Sequence, residues 1–160
     1  MLKTLITLII ILIYQICLAN EQGVIINVVD GDTVHLLNNN QEKLKVRLLH
    51  IDAPELDQSY GKESKLVLEQ LIMHKKVTVI TDKKDKYKRL LGVIFLDEVD
   101  VNLEMIKEGA AWHYKKYAKF DQAQDQYLIY DDNEHQAKLK KRGLWKENTI
   151  SPWQWRKNKK

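Results

Sequence analysis

The chain has 160 residues, with 26 Lys+Arg against 22 Asp+Glu, a formal net charge of +4, six Gly, two Pro and a single Cys. These numbers fit one domain around one core, exclude an intramolecular disulfide framework, and exclude collagen-like or linker-dominated chains. The small positive balance is compatible with a polyanionic partner and does not establish one.

Residues 1–19, MLKTLITLIIILIYQICLA, hold one charge, Lys3, followed by a near-continuous apolar run from Leu5 to Leu18. A short basic start, an apolar stretch and a small terminal residue are the pattern of a secretory signal peptide, here with cleavage expected after Ala19. The run falls short of the ~20 residues of a spanning helix. An uncleaved N-terminal anchor is the alternative; Gln15 and Ile16 before Cys17 disfavour a lipoprotein. The remaining 20–160 form one predicted domain without cysteine and with a net charge of +3, suited to an oxidising compartment.

Residues 23–29, GVIINVV, are β-branched and read as a strand, and Asp30-Gly31-Asp32 as a turn. Extended pattern resumes over 33–37, breaks at Asn38-Asn39-Asn40, and returns over 44–50 with Leu44, Val46 and Leu48 on one face. Pro54 stops that strand, since it has no N–H for a ladder and restricts Ala53. Residues 61–73 carry Leu66, Leu71 and Ile72 among charges and read as a helix; 77–80 and 90–96 are two further strands. Asn102 is expected to cap a short helix ending at Gly109, and Asp121 a long polar helix ending at Gly143. The basic end, Arg156 to Lys160, is expected to fray. Five strands and about three helices predict an α+β fold built on a five-stranded OB-type Greek-key barrel.

The chemistry lies in where acids and arginines fall. Asp32 ends a tight turn, Asp52 and Glu55 flank Pro54 just after a strand, Arg47 lies on that strand, and Arg89 opens a later one beyond the run Lys83-Lys84-Asp85-Lys86-Tyr87-Lys88. Carboxylates gathered together repel unless a cation sits among them, and oxygen-only ligands favour Ca²⁺ or Mg²⁺. Guanidinium groups beside such an ion suit a phosphodiester, which each can grip with two parallel hydrogen bonds. Aimed at the charge that gathers during attack on phosphorus, they stabilise the transition state more than the ground state. A remaining carboxylate can take or orient the proton of an attacking water. Each residue alone reads more readily as an ordinary loop or surface charge, and only the combination points to chemistry. His50, His74 and His113 read as packing or surface residues, and Trp112, Trp145, Trp153 and Trp155 as core and latch residues.

The ordered series VVDGDT (28–33), VRLLHIDAPE (46–55), DKYKR (85–89), VNL with its following glycine (101–109) and GLW (143–145) resembles the staphylococcal nuclease family over about residues 24 to 155. The closing PWQWR resembles the tail of many bacterial members. That resemblance implies an OB-type barrel with helices and a Ca²⁺-dependent, sugar-nonspecific nuclease that hydrolyses DNA and RNA by in-line attack of water, and with the expected signal peptide it would be secreted or periplasmic. It assigns Asp32, Asp52 and the backbone carbonyl of Ala53 to the metal, with Mg²⁺ the less favoured ion. Glu55 takes or orients the proton of the attacking water, Arg47 and Arg89 bind phosphate, and Lys86, Tyr87 and Tyr117 lie beside the nucleotide. Ala53 replaces a frequent Thr whose backbone, not its hydroxyl, meets the metal. Lys88 replaces a common Gly, and Lys115 stands where a nucleotide-side tyrosine is expected; both departures bear on substrate preference. Single-stranded or locally opened nucleic acid is the expected partner, a monomer the expected state, and no stable membrane insertion is expected after cleavage. Two competing readings remain: a non-catalytic nucleic-acid-binding barrel, which has no need of all five charged residues at once, and a small cationic interaction protein, which leaves their order unexplained.

Overall fold

The computed structural model describes residues 19–147 and 149–159. The expected signal peptide therefore lies outside the described residues, apart from Ala19 at its end.

Strand β1 (Ala19–Asp30) is followed by β2 (Thr33–Asn38), β3 (Lys43–Leu48), the two-residue β4 (Ile51–Asp52), helix α1 (Gly61–Ile72), β5 (Lys76–Lys84), β6 (Leu90–Leu96) and the short β7 (Val99–Asp100). Then come α2 (Val101–Lys107), β8 (Trp112–His113), α3 (Lys115–Asp121), α4 (Gln124–Leu139), a 3-10 turn (Gly143–Lys146) and α5 (Pro152–Asn158). The large sheet runs β3-β2-β1-β5-β6-β7, and a parallel β3–β6 pairing closes its first five strands into a barrel. The long β1 serves both sides: 19–24 pair with β5 and 23–30 with β2, with register shifts between Ile25 and Asn27 and between Val28 and Asp30 that let it bend. Val34, Leu36, Val46, Leu48, Val77, Val79 and Ile94 point inward and are buried. The period of two seen in the sequence is thus the inside and outside of a barrel. Helix α1 covers one end with Ser64, Leu68 and Ile72, one helical face at four-residue spacing.

The structure bears out the α+β barrel and corrects the helical part. There are five α-helices among the described residues, not about three. The long helix expected from Asp121 to Gly143 runs instead from Gln124 to Leu139, and Asp121 closes a separate short helix before it, because the chain extends at Gln122 and Ala123. Asp121 ends α3, and its carboxylate lies 3.1 Å from His50 Nε2 and pairs with Lys83. Asp100, not Asn102, caps α2, accepting the Leu103 N–H at 3.0 Å. Asn102 is buried: its Oδ1 accepts from Ile94 N–H and its Nδ2 donates to the Leu49 and Gly92 carbonyls, stitching α2 to the barrel. The motif glycines 109 and 143 both have positive φ and pack against each other, so that a Cβ on Gly143 would lie 2.3 Å from the Gly109 carbonyl.

The basic end is also ordered. Ser151 and Gln154 form a capping box with Pro152 at the start of α5, Gln58 Nε2 donates to the Ile150 carbonyl at 2.6 Å, and Lys159 pairs with Asp57. Trp153 stacks on Tyr114 at 5.3 Å and meets the edge of Trp112 at 5.6 Å, while Trp112 and Trp145 pack at 4.2 Å. Three of the tryptophans thus form the latch.

His50 and His113 brace the α3–α4 junction from the barrel side, through Asp121 and Gln122. Burial lowers the proton affinity of both rings below the ordinary histidine value of 6.5, against the opposing pull of Asp121 and, for His113, of Gln122 and Glu134. The unfolded chain therefore takes up these protons first, so stability is complete above about pH 6.5 and falls as pH drops through the lowered values. Thermal melts from pH 7.5 to 5 are expected to show this decline, and His113→Gln to flatten it.

Candidate active site

Asp32 is set by the β1–β2 turn. Its N–H donates to Asp30 Oδ1 at 3.1 Å, and a side chain at Gly31 would lie 2.0 Å from Ser64 Oγ and 2.7 Å from Ala53 Cβ. The bare turn lets α1 and the loop after β4 pack directly against it. Asp32 then accepts the Ala53 N–H on Oδ2 at 2.8 Å and the Thr33 hydroxyl on Oδ1 at 3.1 Å. Thr33 pairs with Arg47 in the β2–β3 register, which brings the guanidinium alongside. Arg47 Nη1 lies 2.7 Å from Asp32 Oδ2, and its Nη2 lies 2.9 Å from Asp52 Oδ1. Asp52 is fully buried on β4, held by pairing with Trp112 on β8. Pro54 turns the chain out of β4, and Glu55 follows with its side chain partly exposed and its N–H donating to Gln58 Oε1 at 3.2 Å.

The structure therefore brings Asp32, Arg47, Asp52, Ala53 and Glu55 to one place. It adds a residue that the sequence reading consigned to a frayed tail. Arg156, from α5, places Nη2 at 2.7 Å from Asp52 Oδ2 and Nη1 at 2.7 Å from Glu55 Oε1 and 3.2 Å from Asp52 Oδ1. The available signals were the Ser151-Pro152 helix start and the PWQWR spacing, which predict a helix but not what it covers. Burial, opposed by Arg47 and reinforced by Asp30 and Asp52, pushes the Asp32 carboxyl up to about 8. Arg47 only partly offsets the cost of burying this carboxylate. Among the described residues no three His, Cys, Asp or Glu side chains gather as a ready ligand set, because the two arginines stand between the acids.

Arg89 is placed by a different route and pairs with Asp85 rather than with the acid cluster. The parallel β3–β6 pairing sets Leu90 beside Val46 and Leu91 beside Arg47, so Arg89 lies just before the strand, two residues short of the position opposite Arg47. Asp85 organises the loop before it: Oδ1 accepts the N–H groups of Tyr87 and Arg89 at 2.9 and 3.0 Å, and Oδ2 accepts Arg89 Nε at 2.7 Å. Arg89 and Lys86 flank the Tyr87 ring at 5.6 and 5.0 Å, and Lys86 and Tyr87 are exposed. Lys88 has φ of 63°, a left-handed backbone that favours glycine, which explains why Gly is common there. Tyr117 is set apart from the acids: it packs on Tyr114 at 4.7 Å and is largely exposed. Tyr114 is nearer, its hydroxyl pushed up by burial and then by the charge of Asp52. Lys115 is tied to Asp131 and to Glu134 of α4, so it does not stand free at a substrate edge.

A family model described as staphylococcal nuclease homologue matches residues 45–147, more than half of the chain. The chain belongs to this family. The match takes in Arg47, Asp52, Glu55 and Arg89, while Asp32 and Arg156 lie beyond its ends. Curated relatives agree. An uncharacterized endonuclease of Haemophilus influenzae is 39% identical over 85% of this chain and 73% of its own length. An uncharacterized endonuclease of Escherichia coli is 36% identical over 91% of this chain and 92% of its own length. A micrococcal nuclease of Shigella flexneri is 34% identical over 89% of this chain and 84% of its own. The domain is a nuclease, a hydrolase of phosphodiester bonds.

Proposed function

We propose that this nuclease is exported, requires Ca²⁺ and cleaves DNA and RNA alike. The observation that carries the reading is the chain of contacts Asp32–Arg47–Asp52–Arg156–Glu55, which links two buried acids to a third at the surface through two arginines. The donor set fits a hard divalent ion: its side-chain donors are carboxylate oxygens, and burial disfavours the Asp32 charge unless a cation compensates it. Asp32, Asp52 and the Ala53 carbonyl would hold the ion, and Ca²⁺ suits an irregular oxygen cage better than Mg²⁺. A bound ion would supply charge for a phosphate oxygen.

The chain's own groups do the rest. Arg47 and Arg89 grip the non-bridging oxygens, where negative charge grows as water adds to phosphorus. Glu55, the most exposed of the three acids, orients that water or accepts its proton as the new P–O bond forms and the ester P–O bond opposite breaks. Lys86 and Tyr87 at the rim meet the flanking strand, with Tyr117 further out. The groups of the cluster address the phosphate and the metal, which DNA and RNA have in common. Residues 1–19 are proposed as the export signal, and 20–160 as one nuclease domain acting as a monomer.

The test is hydrolysis of single-stranded DNA and of RNA by the purified protein, in Ca²⁺ and in EDTA. Both polymers are expected to be degraded in Ca²⁺ and neither in EDTA. Equal rates with and without ion would refute the metal assignment.

A further inference from the structure

We propose that Arg156 is a resident counter-cation of the carboxylate cluster, which a divalent ion must displace in order to bind. The inference rests on the metal-dependent reading above and adds α5 to the site.

Arg156 engages both oxygens of the fully buried Asp52 and reaches Glu55 with the same guanidinium. Arg47 takes Asp52 Oδ1 as well, so Oδ2, the oxygen not shared with Arg47, is held among the described residues by Arg156 alone. An ion ligated by that carboxylate would stand within a few ångströms of the guanidinium, and like charges so close in a buried site repel strongly. Arg47 is poorly placed to yield, being hydrogen-bonded to Asp32, Asp52 and the Leu48 and Ile51 carbonyls and only 15% exposed at its side chain. Arg156 is 40% exposed at its side chain and has open solvent to turn into.

The arrangement is built rather than incidental. The capping box at Ser151, the Gln58–Ile150 bond, the Trp153–Tyr114 stack and the Lys159–Asp57 pair fix α5 on either side of Arg156. The helix can stay seated while the long side chain swings, so exchange needs no unfolding. Without ion, Arg156 neutralises acids that would otherwise repel one another; with ion, that charge is redundant.

Calorimetric titration of Ca²⁺ into the full chain tests this, for wild type, Arg156→Ala and Arg156→Lys. Arg156→Ala is expected to bind Ca²⁺ at least tenfold more tightly than wild type. Arg156→Lys should fall between, since a single ammonium cannot span Asp52 and Glu55 together. Melting in EDTA should be lower for Arg156→Ala than for wild type, and saturating Ca²⁺ should raise the variant's midpoint more. Equal or weaker Ca²⁺ binding by either folded variant would overturn the exchange and leave the metal reading intact. No Ca²⁺ binding by any of the three chains would overturn both.

Discussion

Arg47→Ala is expected to lower turnover on single-stranded DNA by ~10² to 10³ and to destabilise the fold by about 3 kcal/mol. The two effects have separate causes. The loss in rate is that of one donor aimed at charge that develops on the phosphate. The loss in stability follows from the position of Arg47 between Asp32 and the fully buried Asp52, whose carboxylates face each other once the guanidinium is gone. Removing one partner of a buried pair strands the other charge, which costs far more than the pair contributes in net terms. Arg156 remains on Asp52 and limits the damage on that side. Arg47→Lys separates the causes: a lysine restores charge between the acids but cannot make two parallel bonds to a phosphate. Its melting temperature should recover more than its turnover. A variant that melts early yet turns over normally would remove Arg47 from the chemistry.

Arg89→Ala is expected to cost a similar ~10² or more in turnover with almost no loss of stability. Its ion pair with Asp85 is partly exposed, and such pairs contribute ~1 kcal/mol or less. The loop does not depend on the guanidinium, because Asp85 Oδ1 still accepts the backbone N–H groups of residues 87 and 89. The contrast between a rate-and-stability defect at Arg47 and a rate-only defect at Arg89 is the signature of one arginine built into the acid cluster and one held outside it by Asp85. Near-wild-type turnover in Arg89→Ala would mean that Arg89 serves only to hold Asp85.

Much of this was legible in the sequence. The alternation of Leu44, Val46 and Leu48 gave a barrel wall, because that face packs against the core, with Val46 and Leu48 wholly buried and Leu44 partly so. The acids were legible because turn chemistry placed them: a DGD turn and a proline stop leave little freedom in where Asp32, Asp52 and Glu55 emerge. What was not legible depended on partners distant in sequence. Asn102 looks like a helix cap until three barrel backbone groups claim its side chain. Asp121 looks like another, until His50 and Lys83 claim it and the chain extends at Gln122. Lys115 looks like a substrate-side charge until Asp131 and Glu134 hold it. Arg156 is the largest such case. A basic stretch at a chain end reads as solvated, and only the docking of α5 against Gln58 and Tyr114 shows that one of its charges faces acids about a hundred residues earlier.

The most direct measurement is nuclease activity on single-stranded DNA for wild type and Glu55→Gln, side by side in Ca²⁺, Mg²⁺ and EDTA, with Ca²⁺ affinity measured on the same samples. Wild type should be active in Ca²⁺, weaker in Mg²⁺ and silent in EDTA. Glu55→Gln should still bind Ca²⁺ and lose most of its turnover. Activity in EDTA, or wild-type turnover in Glu55→Gln, would contradict a metal-assisted hydrolysis organised by these carboxylates.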